Sequence, residues 1–497
     1  MSIALFCFLS VVQNAPFMKN AFFLFFLFIA AFASAQQIDS TFGGLGYVRL
    51  DFHGGDSLSQ LLVQPDGKIL LSGVSGKSNF SAFAMARLNT DGTLDPSFGQ
   101  GGQLQMVPPQ GSGWLWDMVL QADGKIVVAA TTDSIHTVWG TSGYLIRFLP
   151  DGRVDSSFGH NGMAGVAGTR TVSHTFRSVR LQSDGKILVT HRIDTALIFR
   201  EDQVIDRYHT DGSLDSTFHT PRDLKSSSIV VTPDNKILTT RRSGFFASYF
   251  IRFLPDGDID TTYHSDTIGV NGMTTMHTLP DGGAVAECAF YLEKLDSMGH
   301  RDSSWAISGR TASWQYMYGN VGTGVLPLAD GSVLRSAILS PRSALIHYDP
   351  AGSPDMTFGD TAVQYVCDTS TDAYFTLLNV SQSGKLIIGG TEYLSLGITP
   401  KDMIVAMVKD ARTGLKPAPS MHLGISPNPA TQTVTVSASE NISTVAIYDM
   451  LGQMCLTVSA IHSPKAIVDV SHLAPGAYSI VVSAAGSTES SKLMIVR

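Results

Sequence analysis

The residues best placed to do chemistry are the alternating carboxylates of Asp256-Gly257-Asp258-Ile259-Asp260, a spacing able to turn three oxygens toward one calcium ion. Two positions oppose that use, because Thr261 stands where such a loop needs glycine and Thr267 where it needs a bidentate glutamate. No metal site is expected from this stretch. Gly76-Lys77-Ser78 matches the end of a phosphate-binding loop, but Leu71 occupies the place of its first glycine. The 14 histidines include no His-Glu-x-x-His pair for zinc, and no Gly-x-Ser-x-Gly elbow is present. No catalytic residue and no cofactor is therefore assigned. Acidic residues are plentiful, so a glycosidase-type carboxylate pair could be assembled from distant segments, although one sequence does not identify it. Trp114, Trp116, Trp314 and Tyr316 fall outside the repeated pattern described next and are candidates for a sugar-binding surface, with core packing as the rival use.

The elements that would position such residues are repeats. Asp-Gly tolerates positive φ at the centre of a tight hairpin, and an apolar run directly after it marks a second strand. The unit is clearest at Gln64-Pro65-Asp66-Gly67-Lys68-Ile69 and recurs around Gly124, Gly185, Asn235, Gly282, Gly331 and Gly384, seven copies in all. Successive turns are 57, 61, 50, 47, 49 and 53 residues apart, a period suited to one small sheet per repeat. Asn235 replaces glycine in one copy and is the other residue that readily accepts left-handed angles.

A second motif interleaves with the first: an aspartate followed three places later by a large aromatic, at Asp39/Phe42, Asp95/Phe98, Asp155/Phe158, Asp215/Phe218, Asp260/Tyr263, Asp302/Trp305 and Asp355/Phe358. The rings are expected to wedge between neighbouring sheets. The chain opens on an aromatic motif and closes its repeats on a hairpin motif. This half-unit offset predicts a ring in which Ile38 to Phe42 completes a last blade built from about Asn379 to Lys409. Continuous apolar runs such as Ile126 to Ala130 suit strands covered on both faces. The expected fold is all-β, a seven-bladed β-propeller over 36–412 followed by a small Ig-like β-sandwich over 424–497.

The pattern Leu-x-x-Asp-Gly-x-Leu-Asp-x-x-Phe-Gly at Leu88 to Gly99, its variant from Phe148 to Gly159, and Gln-x-Asp-Gly-Lys-Ile resemble the delta-60 repeat family. The resemblance covers roughly residues 37 to 412 and weakens after the third unit, where His219 and His264 replace the terminal glycine. It implies a β-propeller of secreted bacterial proteins without a common catalytic site.

The termini carry the export signals. Lys19, the apolar Ala21 to Ala33, and Ala33-Ser34-Ala35 form a signal peptide over 1–35, with cleavage between Ala35 and Gln36 and Met18 the better start. Residues 413–423 hold the Pro-rich linker Lys416-Pro417-Ala418-Pro419-Ser420. Beyond it, five short β-rich runs are expected at Val434–Val436, Val445–Tyr448, Ala466–Val470, Tyr478–Val482 and Leu493–Val496. Ile425 to Ala430 with Pro427, Asn428 and Pro429, then Ile447 to Gln453 with Gly452, Leu473 to Tyr478 with Pro475 and Gly476, and Lys492 to Arg497 resemble the C-terminal sorting domain of the type IX secretion system. That resemblance implies passage through the periplasm to the medium or the outer cell surface, with the type IX machinery as partner.

The 34 basic and 42 acidic residues give a net charge of −8 with no basic cluster, which excludes a nucleic-acid partner. No transmembrane helix is expected in the mature chain, because the leader's apolar run falls short of the ~20 residues a span needs. Removal of the leader takes one of the 4 cysteines and leaves Cys288, Cys367 and Cys455, expected as buried thiols, with a Cys288–Cys367 bridge as the alternative. Together these features predict a secreted or surface module that binds or scaffolds glycans or surface proteins. The alternative is an extracellular polysaccharide hydrolase or lyase with its site on the propeller face.

Overall fold

The computed structural model describes residues 38–77, 80–108, 111–134, 140–195, 200–224, 228–243, 247–265, 267–268, 273–288, 291–311, 324–328, 330–339, 342–358, 362–365, 372–381, 383–393, 400–408, 424–448, 454–484 and 487–496. Among them every regular element is a strand, and seven antiparallel sheets of three or four strands follow one another along the chain. Blade 1 is Gly55–Val63, Ile69–Lys77, Phe80–Leu88 and Gln103–Met106; blade 2 is Gly111–Leu120, Ile126–Ser134, Thr141–Phe148 and Met163–Val166. Blades 3 to 6 begin at Val172–Leu181, Val230–Val231, Met273–Thr278 and Val325–Pro327. Blade 7 takes Asp372–Val380, Leu386–Tyr393 and Pro400–Val408 from the end of the repeats and Tyr47–Leu50 from their start. The first strand of each blade touches that of the next, and blade 7 touches blade 1, so the seven-bladed ring is closed.

The hairpins form for the local reason expected. Gly67 sits at φ 84°, its amide donates to Gln64, and Asp66 Oδ1 accepts the Lys68 amide at 3.1 Å. Asn235 occupies the same region at φ 67°. The buried runs are covered on both faces: alternate residues of Ile126 to Ala130 pack toward blade 1 and blade 3.

Closure differs from expectation in one detail. The fourth strand of blade 7 is Tyr47–Leu50, paired from Tyr47↔Ala406 to Leu50↔Met403, while Ile38 makes a single bridge to Val408. The Asp39 to Phe42 motif is a tight turn, with the Phe42 amide donating to the Asp39 carbonyl, and a turn cannot lie flat along a strand edge.

The two sequence motifs meet in an ion cluster that repeats from blade to blade. In blade 1, Asp95 Oδ2 accepts Arg87 Nε at 2.7 Å and Lys68 Nζ at 2.9 Å, while Oδ1 accepts the amide and hydroxyl of Ser97. The Arg87 guanidinium lies 4.9 Å from the centre of the Phe98 ring, and its Nη1 donates to the Pro150 carbonyl of blade 2. Arg147, Asp155 and Phe158 repeat this against Thr210, Arg207, Asp215 and Phe218 against Pro255, and Arg252, Asp260 and Tyr263 against Ser297. Lys294–Asp302, His347–Asp355 and Lys385–Asp39 take over in the remaining blades. A buried guanidinium is tolerable only when paired and hydrogen-bonded, so each aspartate anchors a charge as well as a turn.

The aromatic side chains act as the expected wedges. A Cβ added to Gly152 would come within 3.0 Å of the Phe98 ring, and Phe42 covers Gly92, Phe158 covers Gly212 and Trp305 covers Gly352 in the same way. Only glycine lets the ring of one blade lie this close to the turn of the next.

The C-terminal unit is a single curled sheet. Of the expected runs, Val434–Val436 and Val445–Tyr448 belong to one long strand, Thr433–Tyr448, which pairs with Gly424–Ser426 at its start, Met454–Asp469 along its length and Gly476–Ala484 at its end. Register breaks between Ser437 and Ile442 let its two halves turn around one core of Val434, Val436, Ile442, Val445, Val468, Ile480 and Leu493.

Candidate functional site

The first strands of blades 1, 2, 3, 5 and 7 carry β-bulges, which re-aim the side chains beside them. In blade 2 the bulge falls between Leu115 and Asp117, so Trp116 has no partner on the second strand. Its side chain is 36 % exposed, with Nε1 donating to Thr131 Oγ1 at 3.1 Å and the Arg177 guanidinium 4.7 Å from its ring centre. Trp116 is therefore a presented aromatic and not core packing. Trp114 lies in register with Thr131 and is half-buried. Trp314 and Tyr316 lie outside the described residues, and so does Cys367.

Near Trp116, five polar side chains come from the first strands of blades 1, 2, 3 and 5. Asp117 is buried and accepts Gln60 Nε2 at 2.8 Å and the Met118 amide on Oδ1, then Ser178 Oγ, the Val179 amide and Arg180 Nη1 on Oδ2. Five donors saturate this carboxylate, which makes it a joint between blades rather than a base. His277, on the first strand of blade 5, is ringed by protein; burial and then the charge of Arg180 hold its pKa down at about 4. At neutral pH the channel wall thus presents a neutral imidazole, a guanidinium and an indole. Such a set can hydrogen-bond and stack on a polar ligand.

None of this was legible from spacing, apart from Trp116. Gln60, Asp117 and Ser178 each lie seven residues before the central turn glycine of their repeat, and Arg180 and His277 each lie five before theirs. That register was the signal available. Open grooves of about 620 Å³ between blades 1 and 2 and about 550 Å³ between blades 2 and 3 are lined by the turns, and the Lys68, Arg87, Lys125 and Arg147 that face them already serve the repeated ion clusters. Asp256, Asp258 and Asp260 do not converge: Asp256 caps the Asp258 amide, and Asp260 is bound to Arg252.

Cys288 is a buried free thiol whose Sγ contacts Glu293 Oε2 at 3.8 Å, and burial pushes its pKa up to about 12. Cys455 is exposed, against the expectation that it is buried, because it sits on the outer face of Met454–Asp469.

In the C-terminal unit the separated motif blocks come together. Asn428 Oδ1 accepts the Met494 amide at 2.9 Å, and Ala430 exchanges backbone bonds with Met494 and Val496, so the Pro427-Asn428-Pro429 segment lies along the last strand. Both prolines follow cis peptide bonds. The Tyr478 hydroxyl donates to the Ala474 carbonyl at 2.8 Å and bridges the Pro475-Gly476 corner. Lys492 pairs with Ser479 through the backbone, whereas Gly452 and Arg497 lie outside the described residues.

Ring and tail define an exported β-propeller. Residues 424–496 match the family described as the secretion system C-terminal sorting domain, and such a tail directs a chain through the type IX machinery to the cell surface or the medium. Residues 64–98 and 121–158 match a family described as a domain of unknown function (DUF5122) beta-propeller. No curated protein matches this chain. Similar solved structures include a protein of unknown function from Dyadobacter fermentans, 10 % identical with a TM-score of 0.37 over 73 % of this chain and 100 % of that one. Another is the β-propeller domain of the Trilobed protease from Pyrococcus furiosus, 10 % identical with a TM-score of 0.37 over 72 % of this chain and 94 % of that one. Among the described residues no helix is long and apolar enough to cross a membrane.

Proposed function

We propose that this protein is a secreted or surface-displayed binding module, in which residues 1–35 take the chain to the periplasm and residues 424–497 then direct it across the outer membrane. The observation that carries the reading is the match of the C-terminal unit to a sorting domain behind a closed propeller. The binding surface is the channel wall around Trp116, Arg180 and His277, and its ligands are glycans or the polar surfaces of neighbouring proteins. What favours binding over hydrolysis is the chemistry of the acids: Asp117 is saturated, and the repeat aspartates are tied to Arg, Lys or His and shifted toward the ionised form.

Two experiments test this. Deleting residues 424–497 should hold the protein in the periplasm, and normal release of the truncated form would refute the export assignment. A thermal-shift screen of the mature chain against glycans and matrix proteins should find a ligand whose stabilisation is lost in Trp116→Ala. Hydrolysis of a polysaccharide panel would displace the binding reading in favour of an enzyme.

A further inference from the structure

The seam where the ring closes holds a group of carboxylates that the repeats do not use. Asp51 directly follows the N-terminal strand Tyr47–Leu50. Leu50 pairs with Met403, so the next positions outward on the two strands are Asp51 and Asp402. Like charges opposite one another on paired strands repel. A third carboxylate, Asp56 on the first strand of blade 1, completes the group, and one oxygen from each of the three lies within 4.8 Å of the others.

Asp56 supplies the second observation. It is 0 % exposed, and its Oδ2 accepts the Phe52 amide at 2.6 Å, which curls the 51–56 loop back on itself. Its Oδ1 is sealed from water and makes no hydrogen bond of ordinary geometry, the nearby Ser75 hydroxyl donating instead to the Phe52 carbonyl at 3.4 Å. A buried carboxylate oxygen left in that condition is unfavourable as an anion unless a cation meets it, the other relief being uptake of a proton. The nearby cations do not reach it. Lys401 lies at the surface, 3.5 Å from Asp402 and 3.6 Å from Glu392, His53 is exposed beside Asp51, and Arg49 is committed to Glu392 at 2.9 Å.

The ligand atoms are all oxygens, which calls for a hard cation, and three carboxylates brought from separate segments suit calcium, with its about 6–8 oxygens in flexible geometry, better than magnesium, which demands near-ideal octahedral geometry. We propose that Asp51, Asp56 and Asp402 bind one calcium ion that ties the N-terminal strand, blade 1 and blade 7 together at the closure. The ion then acts as a clasp: it joins segments some 350 residues apart in sequence, and its binding is inseparable from the closing of the ring.

The test uses the full mature chain, stripped with chelator and dialysed. Calcium titrated to about 10 mM should bind once per chain, with a dissociation constant in the ~10⁻⁴–10⁻³ M range of extracellular modules, and should raise the melting temperature by about 3 °C. Magnesium at the same concentration should do far less. Asp51→Asn, at an exposed position that will not disturb folding, and Asp402→Asn should each weaken binding at least 10-fold, while Asp256→Asn should leave it unchanged. No calcium response in the parent chain would overturn the proposal. So would a response that survives intact in both Asp51→Asn and Asp402→Asn, since that would place the ion elsewhere.

Discussion

Ring closure can be weighed with one pair of substitutions, Phe42→Ala and Phe98→Ala. Both side chains are almost fully buried, at 1 % and 0 % exposure, and both cover the turn glycine of the following blade, Gly92 and Gly152. They differ in the chain that presents them. Phe98 is held within blade 1, whereas Phe42 stands on the N-terminal segment, which reaches blade 7 through the Ile38–Val408 bridge, the Asp39 amide on Met407 and the Asp39–Lys385 pair. Replacing a buried phenylalanine by alanine costs about 3–5 kcal/mol through lost transfer energy and the cavity left behind. For a cooperative unit of about 370 residues, an unfolding entropy of ~2.1 cal/mol/K per residue makes 1 kcal/mol equal to roughly 1.3 °C, so each variant should melt about 4–6 °C lower. Scanning calorimetry of the mature chain reads this directly. Equal losses mean that the N-terminal segment is locked as firmly as any blade. A loss below about 1 kcal/mol for Phe42→Ala, alongside the full loss for Phe98→Ala, would refute closure. Deletion of Gln36 to Gly43 should cost more than Phe42→Ala, because it also removes the Ile38–Val408 bridge, the Asp39 amide on Met407 and the Asp39–Lys385 pair.

Other expectations follow from the ionisable groups. The Lys385 bond, above all, draws Asp39 down to about 2, and at Asp215 the bonds from Thr217 and Arg207 outweigh burial to give the same value. Both lie below their ordinary 3.8, so the stability they supply is complete above about pH 4 and disappears as pH falls toward 2. Asp215→Asn should flatten that part of the acid-denaturation curve, and an unchanged slope would contradict the ion clusters. His277, held at about 4 against an ordinary 6.5, stays neutral in the fold while the unfolded chain takes up a proton, so stability should decline as pH falls from 6.5 to 4. Histidine NMR titration checks this: Arg180→Met should raise the His277 pKa, and a parent value above 6 would remove the argument. Cys288 should resist thiol reagents until the ring unfolds, so a thiol count that already includes it under native conditions would show that blade 5 opens easily.

What the sequence determined is what a few neighbouring residues can specify. Asp66-Gly67 fixes a hairpin because φ preference is a property of the residue itself. Seven such turns fix seven sheets, and the half-unit offset of the two motifs fixes a closed ring, although not that Tyr47–Leu50 is the strand that closes it. The aromatic after each aspartate announces a wedge, because a large ring three residues from a turn needs somewhere to be buried. The blocks of the C-terminal unit are likewise local enough to identify an export domain before any strand is placed. Tertiary structure decided the rest, because electrostatic contacts depend on which segments are brought together and not on their order. Arg87, Lys68 and Asp95 belong to three different strands or turns, and only the pairing of the blade shows that they form one cluster. Trp116 is presented rather than packed because a bulge slips its strand by one residue, a change no composition records. Asp51, Asp56 and Asp402 become one group only once the two ends of the propeller meet, since the electrostatic cost of bringing like charges together does not exist until the ring is closed.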